Sequence, residues 1–399
     1  MESSTDVVVI GAGIVGLATA YRILQQRPQT RVTVVERAND VGTGQSSRNS
    51  GVLHAGLYYA PGSAKARWCR AGKAAFEAFA DEHDIPVRRT GKVVVAIQRR
   101  ELPGLRALVD RARINGVEIE ELDAAGVAEH EPHVNAVAGA WTPETAVTDF
   151  GAACQVIRTV IEQRGADVHC GVSVRATDEH DSGVRVSTTA GDIEAAVVVA
   201  CTGLSADRMA RVSGLAVRER IIPFRGSWLQ LSDDKAHLVN GNIYPVPQPG
   251  LPFLGVHLTR RIDGKVWIGP NAVLAGARHG HNPWSIDWND LRDIVGFIGV
   301  WQLARKHLPT AVAELYRDRI IAANLREVRK YVPGIGADDI RRGPWGVRAQ
   351  LVDRRGNLID DFVVRESRRI VHVLNAPSPA ATASFAIGEA LRDRVLQRL

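Results

Sequence analysis

Four cysteines in 399 residues, Cys69, Cys154, Cys170 and Cys201, form no C-x-x-C pair. They are too sparse for a disulfide framework, which excludes a small stapled secreted domain and suits a reducing compartment. No apolar run approaches the roughly 20 residues that a helix needs to cross a bilayer. The N-terminus has no basic segment leading into an apolar one, so no signal peptide is expected. Charge of one sign is also scarce: 50 Lys and Arg stand against 44 Asp and Glu, a formal +6. The basic residues are scattered and no aromatic-interleaved stripe accompanies them, which argues against nucleic acid as a partner. The 12 histidines and 4 cysteines fall into no ligand spacing, so no metal is expected. These absences leave a cytoplasmic protein, either soluble or resting on the inner membrane surface.

The chain is organised around residues 6–36. Val7-Val8-Val9-Ile10 is a β-branched run suited to one buried parallel strand. It enters Gly11-Ala12-Gly13-Ile14-Val15-Gly16, a G-x-G-x-x-G turn, and residues 17–24 then carry apolar side chains at helical spacing. A second β-branched run, Val32-Thr33-Val34-Val35, ends on Glu36, twenty residues after the third glycine. Gly11 permits the tight turn, Gly13 lets backbone approach a pyrophosphate, and Gly16 lets helix and strand pack closely. The helix N-terminus offers free N–H groups to phosphate, and Glu36 is placed to accept from a ribose diol. Strand, turn, helix, strand and acid in this order make a dinucleotide site. They leave NAD and FAD both open.

A chain of this length exceeds one compact core, so two domains are expected. After Glu36, residues 42–51 are small and polar. They lead into Val52-Leu53-His54-Ala55-Gly56-Leu57-Tyr58-Tyr59, where a histidine and two tyrosines sit among glycines. Helices are predicted over 64–83, 102–115 and 150–164, and strands over 91–97, 138–141, 167–174 and 184–188. Ala196-Val197-Val198-Val199-Ala200-Cys201 reads as a buried strand that Thr202-Gly203 ends beside the first glycine turn. Further strands are predicted near 226–231, 253–258 and 265–268, then helices over 288–307 and 315–331. Residues 343–350 read as tight glycine and proline turns. A strand over 370–374 enters a small-residue loop, 375–384, that opens a C-terminal helix.

The first unit, the 46–51 loop, the 197–203 strand and the 375–382 loop together resemble FAD-dependent oxidoreductases of the D-amino-acid oxidase and glycerol-3-phosphate dehydrogenase type. Within that superfamily the chain resembles the L-2-hydroxyglutarate oxidase and dehydrogenase family. The matching strings are 48–59, Tyr244-Pro245-Val246-Pro247, 251–260, 269–274, 346–350 and 375–382. Gln248 and the looser segment 277–281 depart from the pattern.

The resemblance implies a Rossmann-like α/β FAD-binding domain interleaved with an α+β, β-rich substrate domain, the glutathione-reductase type of fold. The expected boundaries are 1–90, 150–210 and 344–399 for the FAD domain, and 91–149 and 211–343 for the substrate domain. It implies non-covalent FAD held by Gly11, Gly13, Gly16, Glu36, Arg37, Ser46, Asn49, Ser50, Val174, Thr202 and Gly203. Ser378, Ala380, Ala381 and Thr382 are expected at the isoalloxazine edge. There the start of the C-terminal helix favours negative charge at N1/O2.

The implied reaction is hydride transfer from C2 of L-2-hydroxyglutarate to flavin N5, giving 2-oxoglutarate, with electrons passed to oxygen or a membrane quinone. The hydroxyl proton needs a base, and His54 and His257 are the candidates. A dicarboxylate needs fork-shaped cations, for which Arg348 and Arg260 are expected, with Arg225 weaker. Tyr58 and Tyr59 are expected to donate phenolic hydroxyls. The alternatives are an amine or amino-acid oxidase, a glycerol-3-phosphate dehydrogenase, or a flavin-binding protein without turnover.

Overall fold

A computed structural model describes residues 3–247, 255–280 and 282–399. The strand Ser3–Ile10 runs parallel between Val32–Val35 and Gly191–Ala200, and Asp167–His169 extends the sheet beyond Val32–Val35. Its apolar runs are uninterrupted because both faces are covered. Val7, Val9, Val197 and Val199 face the helices Ile14–Gln26, Phe150–Gln163, Ala64–Glu82 and Ser384–Leu396. Val8, Ile10, Val198 and Ala200 face the antiparallel strand Val184–Thr188 and its neighbours. Tyr21, Phe76, Phe79, Phe150 and Phe385 meet at 5.0–5.9 Å, mostly edge to face, at the centre of the helical layer. Two glycines set close approaches there. A Cβ on Gly388 would lie 2.8 Å from the Ala18 backbone, and one on Gly72 would lie 2.5 Å from Ala383 Cα.

Gly191–Ala200 is long enough to serve two partners on one edge. Its first half pairs antiparallel with Val184–Thr188, and its last three residues pair parallel with Ile370–Asn375. The C-terminal segment therefore returns to the glycine turn formed at the start of the chain. Residues 167–174 are not one strand. Gly171 turns the chain at φ +74, so Asp167–His169 ends and Val174–Glu179 begins a separate strand.

Among the described residues the second sheet has nine strands, including Lys92–Ala96, Ala138–Thr142, Arg220–Leu231, Asn242–Pro245, His257–Arg260 and Val266–Gly269. One face, with Val93, Val95, Ile243 and Leu258, packs on Leu325 and Val328 of the helix Ile321–Tyr331. The other, with Val94, Ala96 and Tyr244, packs on the helix Leu102–Ile114 and on Leu57.

Residues 343–350 correct the expectation of turns. They lie inside the thirteen-residue strand Ile340–Val352, antiparallel to Arg220–Leu231. Their glycines serve close approach rather than chain reversal: a Cβ on Gly346 would meet Arg48 O at 2.4 Å, and one on Gly343 Trp228 O at 3.0 Å. The register slips between Ser227 and Leu229, where Pro344 is accommodated. Residues 344–352 thus belong to the second sheet, not to the expected FAD segment 344–399. Residues 248–254, which include Gln248 and the start of the predicted strand 253–258, lie outside the described residues, as does His281. The observed strand there is His257–Arg260.

Candidate active site

At the glycine turn, Gly11 has φ +103, and a Cβ on it would sit 2.5 Å from Cys201 O. A Cβ on Gly16 would sit 1.9 Å from Gly11 O, so helix and turn fit only glycine. Gly13 differs: its Cβ would meet only Ser46 Oγ, at 3.3 Å. That position is open on the side from which a ligand approaches. Gly13 caps the helix Ile14–Gln26 without a side-chain bond, and the first turn carries no acid. Ile14 N–H donates to Ser46 Oγ at 2.9 Å, while the N–H groups of Val15 and Gly16 have no intrahelical acceptor. The Glu36 carboxylate is fixed by Ala12 N–H and Ala38 N–H, each at 2.8 Å. Thr202 Oγ1 is buried without a partner beside this turn. An open glycine, free helix N–H groups, a fixed acid and an orphaned hydroxyl all fit a dinucleotide.

Asn49 is spent within its own loop. Its Nδ2 donates to Ser46 O and Gln45 O, and its Oδ1 accepts from Gly51 N–H. It shapes the loop instead of presenting its side chain to a phosphate. Ser50 is half-buried and Arg37 exposed. Val174 starts its strand two residues after Val172, whose N–H donates to Glu36 O. Gly203 has φ +50 and faces Gln45. The far loop reaches the near one through Thr382: its Oγ1 accepts from His54 N–H and donates to Val52 O, both at 3.2 Å. Ala380 and Ala381 are half-buried beside it, and Ser378 is exposed.

Around His54 the second sheet contributes a chamber wall. His54 Nδ1 is buried without a partner, and Cys69 Sγ–H donates to His54 O at 3.2 Å. Burial holds the His54 imidazole well below its usual range, and the charges of Lys92 and His257 push the same way. His257 stacks on Tyr244 at 4.2 Å between ring centroids. Its Nδ1 lies 3.0 Å from Gly255 O. A carbonyl only accepts, so neutral His257 carries its proton on Nδ1 and leaves Nε2 a lone pair. Burial brings His257 to about 4. Burial also raises the hydroxyls of Tyr58 and Tyr59 well above 10 and that of Tyr244 to about 12, so all three stay protonated. Tyr58 Oη is buried without a partner. Arg348 is exposed; desolvation lowers its guanidinium from the usual value and the Asp360 charge opposes that, while its own charge pushes His257 down.

Arg260 does not join this group. It lies on the Leu258 side of its strand, opposite His257. Its Nη1 donates to the carbonyls of Ala236 and Val239. Its neighbour Arg261 is the one that turns inward: Nη1 donates to Asn49 O at 3.0 Å. Arg225 is committed to buried Asp318.

Lys92 was missed by sequence reasoning. It has no solvent exposure, its Nζ has no hydrogen-bond partner, and it lies 4.1 Å from the Tyr244 ring centroid and 5.4 Å from that of Tyr58. At the start of a valine run it reads as a solvated strand end. The available signal is its parity with Val94 and Ala96, whose face is buried.

A family model described as FAD dependent oxidoreductase matches residues 6–394. The chain belongs to that family. The oxidoreductase is 41% identical over 404 residues to a Caenorhabditis elegans protein named L-2-hydroxyglutarate dehydrogenase, mitochondrial, covering 98% of this chain and 93% of that one. It is 38% identical over 391 residues to the L-2-hydroxyglutarate dehydrogenase of Escherichia coli strain K12, again covering 98% and 93%. In fold it is similar to L-α-glycerophosphate oxidase from Mycoplasma pneumoniae with FAD bound, at TM-score 0.79 and 20% identity over 99% of this chain and 95% of that one. The expected family, fold and FAD cofactor are therefore borne out.

Proposed function

We propose that this oxidoreductase converts L-2-hydroxyglutarate to 2-oxoglutarate on non-covalently held FAD. The observation that carries the reading is the composition of the chamber. Lys92, Arg348 and two neutral histidines stand with three phenols, and Asp360, whose charge acts on Arg348, is exposed and paired with Lys65 at 2.6 Å. Such a chamber has a deficit of negative charge that a dicarboxylate supplies. The names of the relatives point to the same substrate.

In this reading Gly11, Gly13, Gly16 and Ser46 hold the pyrophosphate, Glu36 the ribose, and Thr202, Gly203 and the 378–382 loop the remainder. Bound FAD supplies a hydride acceptor. Arg348 grips one carboxylate as a fork, and Tyr58 and Tyr59 donate to carboxylate oxygens. His54, whose main chain is tied to Thr382, accepts the hydroxyl proton as the carbonyl forms. His257 Nε2 orients that hydroxyl. The first sheet with its helices is the cofactor domain, and the nine-stranded sheet is the substrate domain.

We further propose that the acceptor is a membrane quinone and that the enzyme works on the cytoplasmic side of the inner membrane. Eleven of the sixteen exposed large apolar side chains among the described residues fall between positions 284 and 320. The segment Ile298–Arg319 kinks at His307; beyond the kink Leu308, Val312 and Leu315 are exposed at helical spacing, and Trp301, Arg305, Lys306 and Arg319 are also exposed. An apolar stripe flanked by cations suits an anionic lipid surface. Among the described residues no helix is long and apolar enough to cross a membrane.

The test is turnover of purified holoenzyme with a quinone analogue. L-2-Hydroxyglutarate should yield 2-oxoglutarate, while the D-isomer, glycine, D-alanine and glycerol 3-phosphate should not. Oxidation of an amine or of the phosphate ester at a comparable rate would overturn the substrate. Rapid oxygen consumption without the analogue would overturn the acceptor.

A further inference from the structure

Lys92 is a cation in the wrong solvent. Among the described residues the groups facing it are neutral or cationic. The loop before helix Ala64–Glu82 brings His54 and Tyr58, that helix brings Cys69, the strand Asn242–Pro245 brings Tyr244, and the strand His257–Arg260 brings His257. Cys69 is itself pushed up to about 12 by burial, so it stays a thiol and supplies no charge. A buried ammonium with no counter-ion and no hydrogen bond costs stability. Its position against the two histidines and two of the phenols places that cost in the chamber wall. The geometry points to Lys92 as a proton-switched counter-charge for the dicarboxylate: the amine takes up a proton when the dianion enters and releases it when the product leaves. This rests on the dicarboxylate reading above and adds to it a regulation of the same site by pH.

The proton balance is simple. The free site holds a neutral or half-protonated amine, since burial brings Lys92 to about 7. The dianion favours the ammonium, so binding above pH 7 draws one proton from solvent to Nζ, and no covalent bond changes. Lys92 is a positioning residue here, acting on substrate charge through space. His54 and His257 compete as proton acceptors. They lie far enough below neutrality that dianion binding at pH 8 must lift them much further than Lys92.

Glutarate, which lacks the C2 hydroxyl and cannot be oxidised at that carbon, is the probe. Its binding to the holoenzyme is followed by flavin absorbance and by calorimetry at pH 8 in two buffers of different ionisation enthalpy. Wild type should take up close to one proton per glutarate at pH 8, much less at pH 6, and bind at least tenfold more weakly at pH 8. Lys92→Met should abolish the uptake and flatten the pH dependence at the weak limit. Lys92→Arg should bind equally well at both pH values without uptake. The flavin spectrum reports that each variant is folded and loaded. Uptake that survives in Lys92→Met, or affinity in Lys92→Met that still falls with pH, overturns the proposal and leaves the substrate reading standing. Failure of wild type to bind glutarate at either pH overturns the proposal, and bleaching of wild type by L-2-hydroxyglutarate then tells whether the substrate reading stands or falls with it.

Discussion

The proposed nucleotide cleft and the proposed substrate chamber, joined where Thr382 meets His54, are made of different material. The cleft is main chain: glycines with no room for a Cβ, helix N–H groups, and one carboxylate fixed by two backbone donors. The chamber is side chains, nearly all titratable, drawn from one loop and four strands. Backbone donors do not titrate, so the cleft should hold flavin over a wide pH range. The chamber should carry nearly all of the enzyme's pH dependence.

Substitutions should separate the two regions, and the largest effects should come from the cleft. Gly16→Ala forces a Cβ to 1.9 Å from Gly11 O. It should yield protein without flavin or no soluble protein. Gly13→Ala has room in the protein itself and should fold, with a native circular dichroism spectrum, yet lose about 3 kcal/mol of flavin affinity, roughly a hundredfold. Retention of full flavin by Gly13→Ala would move the pyrophosphate elsewhere.

In the chamber, His54→Ala should keep the flavin spectrum and slow flavin reduction by roughly 10²–10⁴. Unchanged single-turnover kinetics would remove His54 as the base and leave His257. The wild-type reduction rate should stay flat from pH 8 down to about 6, because both histidines are held below their usual range. For the same reason the fold should lose stability as pH falls from 6.5 toward about 4, where folded His257 resists the proton that the unfolded chain accepts.

Lys92 has the opposite sign. Its folded value near 7 lies below the ordinary 10.5, so the fold is weakest at and below neutrality and gains stability as pH rises through that window. Lys92→Met should therefore stabilise the protein at pH 7 by on the order of 4 kcal/mol while weakening dicarboxylate binding, and the stabilisation should vanish above about pH 11, where the unfolded chain has also lost the proton. Equal thermal stability of the two proteins at pH 7 would show that the amine is solvated.

The smallest effect contrasts two arginines. Arg348→Ala should raise the KM for L-2-hydroxyglutarate by roughly 30- to 150-fold, equivalent to about 2–3 kcal/mol, the worth of charge-assisted bonds. Arg260→Ala should leave KM alone and cost about 1–3 kcal/mol of stability through the freed carbonyls of Ala236 and Val239.

The same contrast governs what the sequence disclosed. Residues 6–36 are contiguous and each does a local job, so strand, turn, helix and acid could be read directly. The chamber is legible only where a residue type is unusual for its surroundings, as with His54, Tyr58 and Tyr59 among glycines. Lys92 was hidden because its burial comes from sheet pairing with distant strands, not from its neighbours. Arg260 sits in a matching string, yet it lies on the side of its strand opposite His257, a matter that pairing with neighbouring strands decides. The strand Ile340–Val352 was hidden because glycines that permit close approach to Arg48 and Trp228 look the same in sequence as glycines that turn the chain.

Anaerobic mixing of the yellow holoenzyme with L-2-hydroxyglutarate tests the central claim most directly. Full and stereospecific bleaching of the flavin, with 2-oxoglutarate formed in equal amount, is the predicted result. A flavin that stays oxidised with the L-isomer, or is bleached as fast by the D-isomer, contradicts the account.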